Sequence, residues 1–340
     1  MSRTEIQENK QKIDNNEEEI KTNIDSTLIT KLTNSFKFLV NPKFRIERIQ
    51  TYNLQNQRLK KKSTINGWLK STFTFWGFLL IIVIISIAVF GPWIAPYSYE
   101  EAMSYNLNSW NPPTPVNPLG TTYAGRDVLS RIIYGTRNSL LIALLSISIS
   151  VISGVFLGMI AGYYGKWVDS IIMRVMDIIL AFPGIIFALA FLAILGTRFR
   201  YIVVILGVIG IPYYSRLIRS SVFKEKELDY IAAAKVSGAN KKRIMFKHIL
   251  PNSIQPVIIS LSFDIGRLMI NLTILGFLGF SDPRFIDWGA DIFRGRSHIW
   301  DAPWATLWPS VMILVSVVGF MIVGDGLRDA LDPKYKLVPR

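Results

Sequence analysis

The chain of 340 residues is half hydrophobic and only 18% charged, lacks cysteine and carries a formal net charge of +14, with a positive mean hydropathy. Soluble domains carry about a quarter charged residues, and long uncharged runs mark membrane spans; here 140–163 and 302–324 contain no charge at all. That excludes a secreted enzyme, a disordered protein and a nucleic-acid binder of ordinary type. The missing cysteines remove any disulfide framework, thiolate metal site or cysteine nucleophile. His248 and His298, fifty positions apart, would need carboxylates from elsewhere to hold a metal, so no metal site and no catalytic residue is expected.

Residues 1–72 form a polar tail with an acidic cluster at Glu17, Glu18 and Glu19 and a basic run at Lys60, Lys61 and Lys62. The basic run suits contact with anionic lipid head groups. A helix needs about 20 apolar residues to cross a hydrocarbon core of about 30 Å, and six segments qualify. The first transmembrane helix is placed at 73–96, followed by an extracytoplasmic loop at 97–139. A core of five further spans fills 140–325, predicted at 140–163, 178–197, 201–222, 253–280 and 302–324, with a loop at 223–252. A tail at 326–340 follows; its last four residues, 337–340, read as the remnant of a protease site from cloning.

Most of the 38 lysines and arginines then fall on the side of the amino terminus, so the positive-inside rule places both termini in the cytoplasm. Tyr97, Tyr201, Trp304 and Trp308 near span ends fit interfacial anchors. The expected fold is therefore an all-α polytopic membrane protein with six transmembrane helices.

Gly154, Gly158 and Gly162 recur every four residues, on one helix face where another backbone can come close; the partner is either a helix of the same chain or a second subunit. Pro183-Gly184 and the set Gly207, Gly210 and Pro212 are expected to kink their helices. Arg174 with Asp177, and Asp264 with Arg267, are three apart and can meet along a helix. Each pair is either a structural ion pair or part of a polar pathway, since charge inside a membrane must pair or face water.

The loop at 223–252 carries the most information. Residues 224–236 have helical spacing, Gly238 can close that helix in a left-handed conformation, Asn240 is a candidate N-cap, and Pro251 suits the first turn of the next span. Ala232, Ala233 and Ala234 permit close approach. The result is a helix–turn–helix knob able to insert into a partner. No Gly-x-x-x-x-Gly-Lys-Ser/Thr phosphate loop is present, so ATP, if it drives this chain, is hydrolysed elsewhere. A secondary carrier, a channel or a membrane scaffold remain the competing classes.

This loop resembles the EAA loop of ABC importer permeases: Ala233-Ala234 match its two alanines, Gly238 its glycine and Leu250-Pro251 its close, while Ala232 stands where the glutamate would be. Asn117-Pro-Leu-Gly-Thr, Gly125-Arg-Asp-Val-Leu-Ser-Arg, Asp287-Trp-Gly289, Ala302-Pro-Trp304 and Gly324-Asp-Gly-Leu-Arg-Asp-Ala-Leu-Asp-Pro333 resemble blocks of the oligopeptide/dipeptide (nickel) C-type permeases.

The resemblance implies a type I ABC importer permease fold in the cytoplasmic membrane of a bacterium or archaeon. It implies a heterodimer with a B-type permease subunit, two ATPase subunits and an extracytoplasmic substrate-binding protein; this chain's remaining partner is membrane lipid, with no nucleic acid. It further implies that Asp229, Tyr230, Ala232, Ala233, Ala234, Gly238 and Ala239 couple to the ATPases, and that Asp287, Trp288 and Trp304 meet the binding protein. No cofactor is expected on this chain, ATP and Mg residing on the ATPase partners. The substrate implied is an oligopeptide or dipeptide.

Overall fold

The computed structural model describes residues 72–105 and 109–331. The expectations for the first tail, including Glu17–Glu19 and Lys60–Lys62, and for residues 332–340 lie outside that range. Among the described residues every regular element is helical, and the β content is a single isolated bridge between Thr121 and Asp127.

Twelve α-helical segments follow in chain order: α1 Thr72–Ile94, α2 Tyr99–Met103, α3 Val128–Tyr164, α4 Lys166–Leu180, α5 Gly184–Leu195, α6 Phe199–Glu225, α7 Asp229–Val236, α8 Lys241–Arg243, α9 Leu250–Ser253, α10 Gln255–Phe277, α11 Trp288–Gly295 and α12 Trp304–Leu331. A π-helical turn at Ile244–Ile249 joins α8 to α9. Five of them, α1, α3, α6, α10 and α12, are long and apolar enough to cross a membrane.

The sixth expected span takes a different form. Residues 178–197 do not make one straight helix. The chain breaks at Ala181-Phe182-Pro183, and α4 and α5 are bent by 80°. Pro183 lacks the N–H that would continue the ladder. The 12 residues of α5 reach only about 18 Å at 1.5 Å per residue, too short to cross alone, so the bent pair counts as one span only when taken together. Pro212, by contrast, is carried inside a continuous α6.

The boundary of the loop between the first two spans also moves. Residues 128–139 were expected in the loop at 97–139 but form the opening turns of α3, whose 37 residues extend about 55 Å, well beyond a bilayer core. Asp127 starts that helix by accepting from the Ser130 N–H at 2.7 Å, an N-cap that the apolar count could not register.

α3 packs along α6, and α10 along α12, with α1 laid against α12 and α3. The three glycines make the first contact possible. A Cβ at Gly154 would meet Ile211 O at 2.9 Å, at Gly158 Ser215 O at 2.2 Å and at Gly162 Val222 Cγ1 at 2.8 Å. All three neighbours belong to α6 of the same chain. α1 instead leaves Phe73, Trp76, Val89, Phe90 and Trp93 exposed.

Candidate functional site

The loop expected at 223–252 contains α7. The helix expected at 224–236 is interrupted: α6 ends at Glu225, and α7 begins at Asp229 after Leu228, whose backbone is extended (φ −76°, ψ 145°). Its C-terminus closes as a Schellman motif. Gly238 N–H donates to Lys235 O at 3.1 Å and Ala239 N–H to Ala234 O at 3.1 Å, with Gly238 at φ +80°. A side chain there would be strained, which is why glycine holds the position. Asn240 then starts α8, its Oδ1 accepting from the Arg243 N–H at 2.8 Å.

This elbow has one inner and one outer face. Ile231 is fully buried and joins Val222, Ile244, Met245, Ile249 and Val257 in a single apolar cluster. Ala239 packs against the same cluster. Asp229, Ala232, Ala233 and Gly238 are exposed, Ala234 is half-buried, and Val236 is 90% exposed. Nothing in this chain lies within 4 Å of a Cβ built on Gly238. Tyr230 ties the elbow sideways: its hydroxyl donates to Glu225 and accepts from Asn252 Nδ2 at 3.0 Å. Burial and the Glu225 carboxylate raise the tyrosine above its ordinary pKa, so it remains a neutral donor.

Polar groups within the spans connect helices. Tyr214 of α6 donates to Asp264 Oδ2 of α10 at 2.7 Å, and Arg267 Nη1 lies 3.5 Å from Asp264 Oδ1. The Arg174–Asp177 pair does not form. Asp177 instead binds Arg216, and Asp169 binds Arg219, so α4 is clamped to α6. The sequence spacing reported a local partner; the fold supplies one on another helix.

The end of the bundle opposite α7 is built by α2, α11 and the start of α3. Arg131 and Asp291 form a buried bidentate pair at 2.9 and 2.7 Å, and Arg131 Nη1 also donates to Ala102 O at 2.9 Å. These residues are 160 positions apart, and no local pattern announces them. Asp287 and Trp288, expected at a binding-protein contact, lie in the interior. Asp287 caps α11 by accepting from the Gly289 N–H at 2.9 Å, and Trp288 Nε1 donates to Ile132 O at 3.3 Å. Their burial takes both side chains off the surface. Trp304 is half-buried and donates to Thr121 O at 3.1 Å.

Burial pushes the Asp287 carboxyl up to about 7, with the Gly289 N–H pulling the other way. Asp282 is held down to about 2, foremost by the Arg284 guanidinium. An open cavity of about 1010 Å³ at this end is lined by Tyr99, Arg137, Arg198, Phe199, Arg284 and Phe285 among others. Among the described residues no cluster of three histidine or acidic side chains could hold a metal ion.

Five or six spans, a glycine-closed exposed elbow at one end and a structured cap at the other define a polytopic helical transport component. Residues 154–337 match the family described as "Binding-protein-dependent transport system inner membrane component", and residues 68–113 match the "N-terminal TM domain of oligopeptide transport permease C". The chain belongs to the first of these families. It is a multi-pass permease component of an ABC transport system, working with ATPase and substrate-binding partners, and a transporter subunit rather than an enzyme.

The dipeptide transport system permease protein DppC of Alkalihalophilus pseudofirmus is 40% identical over 268 residues, 78% of this chain and 88% of that protein. The glutathione transport system permease protein GsiD of Pectobacterium atrosepticum is 40% identical over 260 residues, covering 76% and 86%. A solved amino acid ABC transporter with histidines aligns with 57% of this chain and 91% of its own at 18% identity and a TM-score of 0.45.

Proposed function

We propose that this chain is one of two nonidentical permease subunits of an ATP-driven importer of short peptides. It sits in the cytoplasmic membrane of a bacterium or archaeon with both termini inside, beside a B-type permease subunit and membrane lipid. The peptide substrate is supported by relatives whose names specify dipeptide and glutathione transport. ATP and Mg belong to the ATPase partners.

The observation that carries the coupling reading is the two-faced elbow. Ala232, Ala233 and Gly238 are open to a partner, while Ile231 fixes the same short helix to the apolar cluster shared by α6 and α10. An ATPase surface closing on nucleotide would move α7 as a lever and, through Ile231, the spans. The spans would then shift between inward-open and outward-open populations according to their differential affinity for the nucleotide-bound ATPase. Asp229, Tyr230, Ala234 and Ala239 complete this coupling segment.

The test uses the absence of native cysteine. Ala233→Cys is expected to crosslink to an ATPase subunit in intact membranes. Gly238→Gln is expected to leave the assembled complex in place and lower peptide uptake per ATP hydrolysed by about tenfold or more, a factor equivalent to about 1.4 kcal/mol. Normal uptake in Gly238→Gln together with no crosslink from Ala233→Cys removes the coupling assignment.

A further inference from the structure

Arg267 is the thirteenth of the 23 residues of α10. That places it about 18 Å along the helix, near the middle of a hydrocarbon core of about 30 Å. Its side chain is nevertheless 67% exposed, whereas that of Asp264, one turn earlier, is 11% exposed. Asp264 is held from behind by the Tyr214 hydroxyl at 2.7 Å, while Arg267 touches it only at 3.5 Å through one nitrogen. The carboxylate belongs to the packing of α6 on α10. The guanidinium leans outward, and no described residue accepts a hydrogen bond from it.

The same side of α10 carries a second polar group two turns away. Ser260 Oγ stands 3.0 Å from the hydroxyl of Tyr213 on α6, and Tyr213 is itself exposed. Residues seven apart share a helix face, so two hydroxyls and a guanidinium form a polar strip that runs from mid-membrane depth at Arg267 about 10 Å toward the start of α10. Charged groups at that depth face a bundle interior or water because acyl chains cannot solvate them. The other sides of α10 are already taken by α3, α11 and α12.

We propose that this strip lines the translocation pathway and that Arg267 is its recognition point for carboxylate, taking the C-terminal carboxylate or an acidic side chain of the passing substrate. The inference rests on the peptide-importer reading above and names the group which that reading leaves open. The planar guanidinium fork matches a carboxylate through two parallel N–H···O bonds. Asp264 already neutralises much of its charge, so the carboxylate is held weakly. A conducting site requires that balance, favourable enough to admit and weak enough to release. Tyr213 and Ser260 supply neutral hydrogen-bonding groups along the same line.

The experiment uses the full complex in vesicles, with this chain bearing Ser260→Cys as its single cysteine and the cysteine-lacking chain as background. Two membrane-impermeant methanethiosulfonates, one anionic (sulfonatoethyl) and one cationic (trimethylammonioethyl), are applied in each nucleotide state. Labelling is expected, with the anionic reagent favoured about threefold or more over its ratio on a free thiol, because a fixed cation raises the local anion concentration. Arg267→Gln in the same chain is expected to abolish that preference and Arg267→Lys to keep it. With Ser260 intact, Arg267→Gln is expected to lower ATP-driven peptide uptake about tenfold through lost substrate stabilisation, and Arg267→Lys to recover part of it.

The proposal is overturned if Ser260→Cys is unreactive in every nucleotide state, which would place lipid or the B-type subunit over the strip. It is equally overturned if the charge preference persists in Arg267→Gln, or if that variant transports as well as the unsubstituted chain. Failure of the unsubstituted complex to take up any peptide with ATP is a separate result, since it removes the importer reading itself.

Discussion

Asp287 shows how one buried group can set a pH dependence. Its carboxyl caps α11 through one oxygen, and the other has no hydrogen-bond partner among the described residues. Burial therefore raises it from 3.8 to about 7. Between those values the folded chain holds a proton that the unfolded chain has released. Stability therefore falls as pH rises through this window, by on the order of 4 kcal/mol in total from this group, and levels off above it. Asp287→Asn keeps an N-cap acceptor and removes the titration. Thermal unfolding of the complex in detergent from pH 5 to 8 is expected to show a declining midpoint for the native chain and a shallower slope for Asp287→Asn; equal slopes would assign the decline to other groups. The family resemblance implies Asp287 at a binding-protein contact because it lies in a loop between spans, and nothing in that block of residues signals its burial. Its burial arises where α11 folds against α3 and α10, at separations a local pattern does not encode.

At the scale of elements, the α3–α6 contact is the most readable from residues alone and also the least tolerant. The four-residue spacing of Gly154, Gly158 and Gly162 gave the face, and the fold supplies the occupant, the α6 backbone. A methyl group at Gly158 would sit 2.2 Å from Ser215 O, a backbone atom that moves only if the two helices separate. Gly158→Ala is expected to destabilise by about 1–3 kcal/mol, the usual range for overpacking, seen as a lower unfolding midpoint and lower yield of assembled complex. Gly184→Ala is the contrasting case, since its nearest neighbour is the side-chain methyl Ile209 Cγ2 at 3.0 Å, which can give way. An equal loss in both variants would mean that close approach at Gly158 is not the cause. Gly238 and Asn240 were legible for the same reason as the glycine face: a left-handed close and a cap are local events with local residue preferences. The break between α4 and α5 was half legible. Pro183-Gly184 marked the kink, but hydropathy counts apolar residues without regard to direction and so could not register a bend of 80°. The Asp177–Arg216 and Asp169–Arg219 ties were invisible, because i,i+3 spacing offered Asp177 a nearer partner and nothing in the sequence brings α6 alongside α4.

For the whole molecule the proposed coupling requires a path by which a force applied at α7 reaches the spans. The elbow touches the rest of the chain through few groups. Tyr230 makes lateral hydrogen bonds to Glu225 and Asn252, and Ile231 is the one side chain of α7 that is fully buried. Hydrogen bonds at an exposed surface exchange readily with water and contribute less than the roughly 1 kcal/mol net of a typical intramolecular bond. A buried isoleucine in a close-packed cluster transmits displacement, because interiors have low compressibility. Ile231→Ala removes that wedge and leaves a void, at a typical cost of about 2–5 kcal/mol, concentrated where α7 meets the π-turn and α6. The exposed Ala232, Ala233 and Val236 are unchanged, so an ATPase partner should still bind. The expected outcome is therefore a split: retained co-purification of ATPase subunits, retained ATP hydrolysis, and peptide uptake per ATP lowered several-fold. Tyr230→Phe, which deletes only the hydroxyl, is expected to change that ratio by less than a factor of two, within the few tenths of a kcal/mol that an exposed bond contributes. Uptake and hydrolysis falling together in Ile231→Ala would show that the side chain serves assembly alone, and would shift the transmitting contact to the backbone around Gly238 and Ala239.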